Sequence, residues 1–418
     1  MGLGADPPGR LTVRVLHLTP ELPYEPGGGG GRTREFFLCK RLAEQGHAVL
    51  NISPALPHEL ALADSLRDAG VENWVARRPP TPPEEVARAA AAEPGVLGAA
   101  LTRPVRALEM RVFWTRLRAL ALRAVREWNP DVALVGHDMA AAWARDLPPA
   151  LPSVLTLHNL TWHWYLSRSR RAGGPKALLL RAEAARYRRH VLGLLPRFHT
   201  AVAVSTLEAE EIRKLGVTRV ELIPTGVDTR ALQPGPEQEG PPRLLFTGTM
   251  SYPPNHQGIR WFADDVWPLV RVELPDARLD VVGRDPPEAV RALDGRDGIA
   301  VHGFVPSMAP FFAAAHAVVV PILTGAGIRV KIVEAFSAGR ALVSTSLGWE
   351  GLAHVQPGRH LLVADVPREF AAAAVRLLAD PGGRARMAAE ARALAEREYD
   401  WRALGDRLER VLAGAAAR

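Results

Sequence analysis

The chain of 418 residues holds a single cysteine, Cys39. That excludes an internal disulfide framework and any zinc site built on cysteines. It is also the cysteine usage of a cytosolic protein. Lysine is almost as scarce. Lys40, Lys176, Lys214 and Lys331 are the only four among 52 basic residues, and the rest are arginine. No apolar run reaches the ~18 residues of a transmembrane helix. The opening Met-Gly-Leu-Gly-Ala-Asp-Pro-Pro-Gly-Arg lacks the apolar centre of a signal peptide and reads as a short disordered leader. No Asp-x-Asp pair occurs anywhere, so the expected chemistry is metal-independent.

What is present is an ordinary globular composition, 47% hydrophobic and 23% charged, long enough for two domains with full cores. The formal charge of +7 permits nucleic acid, an anionic membrane or a phosphorylated ligand as partner. Nucleic acid is disfavoured because the charge is dispersed and no recognised binding motif occurs.

The chain alternates strands and helices. Leu11 to Leu18 is the first strand. Thr19-Pro20, a Pro-rich turn and the glycines Gly27 to Gly31 follow, then an amphipathic helix from Arg32 to Gln45. The glycine run is not the Gly-x-Gly-x-x-Gly dinucleotide fingerprint, because a Pro-rich loop precedes it and no acid closes the next strand. It reads as a flexible loop bordering a cleft, with Gly30 and Gly31 on the acceptor side, or else as a tolerated low-complexity loop. Strands over Asp131–Val135 and Ser153–Leu157 end at His137 and His158. Ligands bind at the carboxyl ends of strands in open α/β sheets, so both histidines are candidate site residues, against a structural role for each.

Thr161 to Leu195 sets Trp162, Trp164 and Tyr165 beside a run of arginines with Lys176. Such a stretch suits a membrane surface or a polyanion, so residues 162–189 are a candidate peripheral membrane contact. The alternative is a solvated helix face in an arginine-biased chain. Residues 229 to 242 are a linker by composition, after which the alternation restarts. Two successive βα arrays imply two Rossmann-like domains facing across a cleft. The boundaries expected are 11–228, 229–395 and a closing segment 396–418 whose helix crosses back to the first domain.

The most informative stretch runs from Thr324 to Gly351. Gly325 and Gly327 allow close backbone approach, and a helix should begin near Ile328 with its free N–H groups facing any ligand over the loop. Arg329 and Lys331 stand at that helix start. Cations there are unfavourable unless an anion is expected. Glu334 lies three residues after Lys331. Phosphates on the cations and ribose hydroxyls on the carboxylate would account for the set, against an ordinary βαβ unit with a salt-bridged helix.

Read in order, these motifs resemble the family-4 glycosyltransferases, retaining sugar-nucleotide enzymes of GT-B fold. The matching features are the glycine loop, the strand ending at His158, Ala203-Val204-Ser205, Ile223-Pro224-Thr225-Gly226-Val227-Asp228, Phe246-Thr247-Gly248-Thr249 and Gly303-Phe304-Val305. The block Gly327 to Gly351 resembles the family's donor signature, particularly its Gly-x-Gly-x-Arg-x-Lys-x-x-Glu-Ala version, and Tyr399-Asp400-Trp401 the start of its closing helix.

The resemblance implies transfer of a sugar from a nucleoside-diphosphate sugar, with retention. It implies a cytoplasmic enzyme, at most peripheral on the inner face of the membrane, acting on a polysaccharide, lipid-linked or small acceptor. The donor is a substrate and no further cofactor is implied. Glu334 matches the ribose ligand, Gly248 and its neighbours Thr249 and Asn255 the loop beside the diphosphate, Phe304 and Val305 the segment that receives the base, and His158 a histidine next to the transferred sugar.

Two departures stand out. Ala326 replaces the first of the two glutamates that many members carry. The loop Thr249 to Asn255 lacks the usual arginine and lysine, which makes Arg329 and Lys331 the replacement cations. The rival functions are an epimerase of the same fold, which needs a carboxylate pair the sequence does not clearly supply, and a silent sugar-nucleotide-binding homologue.

Overall fold

The computed structural model describes residues 12–25, 29–77, 105–235, 239–325 and 327–417. The N-terminal leader, Gly27 and Gly28, the Pro-rich run from Arg78 to Pro83 and Ala326 lie outside these. The chain divides into two compact units. One comprises Met1–Ile223 with Gly405–Arg418, the other Pro224–Leu404.

The first unit carries a seven-stranded sheet. Its strands are β1 (Arg14–Leu18), β2 (Ala48–Ala55), β3 (Glu72–Arg77), β4 (Val132–Gly136), β5 (Ser153–Thr156), β6 (Thr200–Ala203) and β7 (Val220–Leu222). All pair in parallel, in the order β3-β2-β1-β4-β5-β6-β7. The strands are short apolar runs because a parallel sheet is covered on both faces. The core below it includes Trp114 stacked on Trp143, with ring centroids 5.1 Å apart. The strand order reverses between β1 and β4, and the carboxyl ends at such a switch point are where a doubly wound sheet binds ligands.

The second unit repeats the plan with six strands. These are β8 (Arg243–Thr247), β9 (Arg278–Val282), β10 (Ile299–Gly303), β11 (Ala317–Val320), β12 (Ala341–Ser344) and β13 (Leu362–Val363), in the order β10-β9-β8-β11-β12-β13. Here the switch point lies between β8 and β11, which pair in parallel. The protein is therefore an α/β fold with two parallel Rossmann-like sheets of GT-B type.

Two sequence expectations change in detail. The helix after the glycine run begins at Gly29, so Gly29 to Gly31 form its first turn rather than a loop. Residues from 229 read as linker, yet Thr229 is buried. Its N–H and hydroxyl both donate to Asp400, and its carbonyl accepts from Arg392 at 2.8 Å. In the same place Val227 N donates to Tyr399 O at 2.9 Å and Val227 O accepts from Trp401 N at 3.2 Å. This anchors the start of the helix Trp401–Ala416, which begins in the second unit and ends in the first. In the first unit Asp406 accepts from Arg41 at 3.2 Å and from Gln45 at 2.6 Å. The closing helix thus packs back on the first unit. Replacing Asp400 by alanine leaves Thr229 without its acceptor, and we expect a loss of about 1–3 kcal/mol in denaturant unfolding of the second unit.

Candidate active site

In the first unit the carboxyl ends of β1, β4 and β5 converge on one carboxylate, Glu35, on the helix Gly29–Glu44. Glu35 is buried, with 1% of its surface exposed. It accepts from Thr156 Oγ1 at 3.0 Å, meets His17 Nε2 at 2.7 Å, and contacts His158 Nε2. Gly136 leaves room for it, since a Cβ there would come within 3.3 Å of the Glu35 carboxyl carbon. Burial alone would raise the Glu35 pKa. His158 and His17 overcome that and hold it well below the ordinary carboxylate value. His158 is shifted down by burial, with Glu35 opposing. Its Nδ1 lies on the Gly31 side, 2.8 Å from where a Gly31 Cβ would stand. A small cavity opens there, lined by Thr19, Pro20, Glu21, Gly31, Arg32, Glu35, His137 and His158.

His137 is in this cavity wall but is otherwise engaged. It sits at φ 77° after β4, its Nδ1 accepts from the Met139 N–H at 3.2 Å, and its ring lies 5.1 Å from that of His158. Gly30 has open space around it, unlike Gly31. The structure therefore gathers His158, His137 and Gly31 as the sequence suggests. It adds Glu35 and His17, which no motif had marked.

In the second unit the ends of β8, β9 and β10 are sewn together by backbone bonds. Gly248 N donates to Val282 O at 3.1 Å, Gly283 N to Gly303 O at 2.8 Å, and Met250 N to Arg284 O at 2.8 Å. The helix Pro253–Trp261 follows, and Asn255 in its first turn donates through Nδ2 to Thr249 O at 2.8 Å. Asn255 Oδ1 accepts from Lys331 Nζ at 2.9 Å. Lys331 belongs to the first turn of the helix Val330–Ser337. Its ammonium is buried over the face of Phe246, 4.3 Å from the ring centroid. A Cβ on Gly248 would stand 2.8 Å from that nitrogen, so the lysine occupies the loop after β8.

Arg329, just before this helix, bonds the Gly327 carbonyl at 2.9 Å and is also buried. Gly325 and Gly327 take φ of 108° and 89°, which only glycine adopts freely. At Gly325 a side chain would also strike Pro254, Arg329 and Tyr252. Burial, joined by the adjacent Arg329 and opposed by Glu334, lowers the Lys331 pKa to about 7. Burial likewise lowers the Arg329 pKa, with Tyr252 and Glu350 opposing. Glu334 lies one turn further along the same helix and is half-buried. Phe304 is 73% exposed beyond β10, and Val305 is half-buried.

The aromatic basic stretch resolves into two packed helices, Thr161–Arg171 and Gly174–Leu192. Trp162 and Tyr165 are buried in the core, so of the three aromatics only Trp164 faces outward. Leu178 and Leu179 are exposed instead, at 71% and 65%. Among the described residues no helix is long and apolar enough to cross a membrane.

Two family models match the chain. One is described as Glycosyltransferase Family 4 and covers residues 28–231. The other is described as Glycosyl transferases group 1 and covers residues 241–380. A phosphatidyl-myo-inositol mannosyltransferase of Mycolicibacterium smegmatis is 30% identical over 236 residues, 52% of this chain and 59% of that protein. An uncharacterized 44.6 kDa protein in the cps region of Klebsiella pneumoniae is 28% identical over 165 residues, 38% of this chain and 42% of that one. The chain thus spans about half the length of the curated relatives it matches.

Similar solved structures include Anabaena HepE in complex with UDP, at TM-score 0.63 and 15% identity, covering 96% of this chain and 100% of that one. Sucrose-phosphate synthase from Thermosynechococcus elongatus reaches TM-score 0.68 at 16% identity, covering 97% and 99%. WaaG, a glycosyltransferase involved in lipopolysaccharide biosynthesis, reaches 0.61 at 14% identity, covering 96% and 100%. At these identities the likeness is one of fold.

Proposed function

We propose that this chain, which belongs to the group 1 and family 4 glycosyltransferases, moves a sugar from a nucleoside-diphosphate sugar to an acceptor hydroxyl, with retention at the anomeric carbon. The observation that carries this reading is Lys331. A buried ammonium at the end of β8, beside Arg329 and next to a glycine that makes room for it, costs free energy that an arriving diphosphate would return. The two cations, together with the N–H groups at the start of the helix Val330–Ser337, would stabilise the charge of the leaving nucleoside diphosphate. Glu334 would take the ribose hydroxyls, Gly248, Thr249, Asn255, Gly325 and Gly327 would border the phosphates, and Phe304 and Val305 would receive the base. His158 would take a hydroxyl of the sugar, with Gly30, Gly31 and His137 on the acceptor side.

The UDP-glucose complex of HepE makes UDP-hexoses the first donors to try. The cps-region relative and the phosphatidyl-myo-inositol mannosyltransferase favour a cell-envelope polysaccharide or lipid-linked acceptor. The test is a donor panel read by mass spectrometry with lipid and oligosaccharide acceptors, the product anomer being assigned by NMR. Binding of a nucleotide sugar with no transfer or hydrolysis in any mixture would favour a silent binding protein.

The pH dependence of donor binding follows from Lys331. With a free-protein pKa of about 7, the ammonium is protonated below that pH and lost above it. A diphosphate favours the protonated form, so donor affinity should fall roughly tenfold per pH unit above 7. Calorimetry at pH 8 in buffers of different ionisation enthalpy should detect proton uptake on binding. A dissociation constant that is flat from pH 6 to 9 would remove Lys331 from the diphosphate site.

The helix pair 161–192 would rest on an anionic bilayer. Leu178 and Leu179 present apolar surface next to exposed Lys176, Arg181, Arg188 and Arg189, a charge pattern complementary to acidic headgroups. The double variant Leu178→Ser, Leu179→Ser should lose about tenfold or more in co-sedimentation with phosphatidylglycerol vesicles. Equal binding of both proteins would leave this face solvated.

A further inference from the structure

A row of polar side chains runs across the first sheet from β1 to its edge strand β3. His17 on β1 is the register partner of Asn51 on β2, and Asn51 that of Asn73 on β3. All three are buried. The polarity of the row is set at its far end by a backbone carbonyl, which can only accept. Asn73 Nδ2 donates to Ala63 O at 2.9 Å, leaving Asn73 Oδ1 to accept from Asn51 Nδ2 at 2.8 Å. Asn51 also donates to Ser53 Oγ at 3.1 Å, so its carbonyl Oδ1 faces His17 Nδ1 at 2.8 Å and must accept there. Turning either amide round would set oxygen against oxygen. His17 Nδ1 therefore carries a hydrogen. Its Nε2 lies 2.7 Å from Glu35 Oε2.

We propose that His17 is a positioning residue, held as an imidazolium by Asn51 and Glu35, that keeps Glu35 ionised and thereby fixes His158 as the Nε2–H tautomer. Glu35 Oε1 then accepts from His158 Nε2, and the His158 lone pair is left on Nδ1, on the Gly31 side of the cavity. Among the described residues Nδ1 makes no hydrogen bond. A group entering there has to donate, which a sugar hydroxyl does and a phosphate or carboxylate anion does not. The other groups facing the cluster are Cys39, whose sulfur is 3.3 Å from His17 Nδ1, Thr156, which donates to Glu35, Arg34, whose charge acts on Glu35 and His158, and His137, whose ring lies 5.1 Å from that of His158. The elevated His17 pKa and the depressed Glu35 pKa run in the same direction.

The part of this inference that concerns the sugar rests on the glycosyltransferase reading, and its test has an arm that does not. The full chain labelled with ¹⁵N-histidine should show both His17 nitrogens at imidazolium shifts from pH 6 to 9. His158 should show the neutral Nε2–H pattern in the same spectra, with no donor present. A neutral His17 at pH 8, or a His158 with its hydrogen on Nδ1, overturns the proposal whether or not any sugar is transferred. In Asn51→Leu, which removes the acceptor at near-equal volume, His17 should become neutral at pH 8 and His158 should show mixed tautomers. With a donor in hand, that variant should lose at least tenfold in kcat at unchanged donor KM, with an added limb in the pH profile. A variant that keeps the wild-type spectra and profile overturns it. If Asn51→Leu does not fold, the wild-type spectra decide alone.

Discussion

Lys331→Met should lower kcat/KM for donor by about 10²–10³ and at the same time raise the thermal midpoint of the ligand-free protein. If the proposed diphosphate site is right, the loss follows from removing a preorganised cation where charge develops, an effect typically of about 3–4 kcal/mol. The gain follows from linkage. Burial pulls the Lys331 pKa from 10.5 to about 7 in the folded chain. Between those values the unfolded chain binds a proton that the folded chain does not, so stability falls as pH drops from 10.5 toward 7. Near pH 7 the wild type carries most of that penalty, of the order of several kcal/mol at its upper bound. Methionine fills the slot over Phe246 without it. Lys331→Arg should not rescue transfer, because the ammonium sits in a space bounded by Gly248, Asn255 and the Phe246 ring that a planar guanidinium exceeds. Paired kinetics and calorimetry check both halves. Transfer within a few-fold of wild type would sink the assignment, and a lower midpoint would sink the desolvation argument.

The same lysine shows how far local sequence carries. Arg329 and Lys331 at a helix start, after two glycines, raised an anion site against an ordinary salt-bridged βαβ unit, and both side chains are buried at that loop. The strand and helix alternation marked both sheets, and Ser205 was legible as a helix cap: it accepts from Glu208 N at 3.2 Å. The Glu35 cluster was not legible. Its members stand on β1, β2, β3, a helix and the end of β5, each separated from the next by sixteen or more residues, so no motif joins them. One signal was available. Buried parallel strands are nearly continuous apolar runs, and His17 and Asn51 interrupt two such runs at positions that the register brings side by side. The glycine run misled for a related reason. Glycine disfavours helix by ~1 kcal/mol per residue. Yet the helix begins at Gly29, and at Gly31 a side chain would strike His158. Packing outweighs propensity there, and packing is not written in the local sequence.

Gly283→Ala should be the most damaging single-methyl change in the second unit. A Cβ at that position would overlap the carbonyl oxygen of Gly248, a backbone atom that no side-chain rotation can clear, and would also press on Met250. The only relief is to part the loops after β8 and β9, which breaks the bonds from Gly248 N to Val282 O and from Met250 N to Arg284 O. Displacement then passes down a short chain. Thr249 O holds Asn255, and Asn255 holds Lys331. Overpacking of this kind costs roughly 1–3 kcal/mol in stability, and donor affinity should fall at least tenfold because the lysine loses its fixed position. Gly295→Ala is the matched control. It also has positive φ, 77°, but a Cβ there meets nothing within 4 Å. It should cost about 1 kcal/mol of backbone strain and leave donor binding unchanged. Urea unfolding and calorimetric donor binding on the two variants separate the cases. If Gly283→Ala behaves like Gly295→Ala, the loops after β8 and β9 are not a single braced unit, and the geometry that places Lys331 must be held from the helix Val330–Ser337 alone.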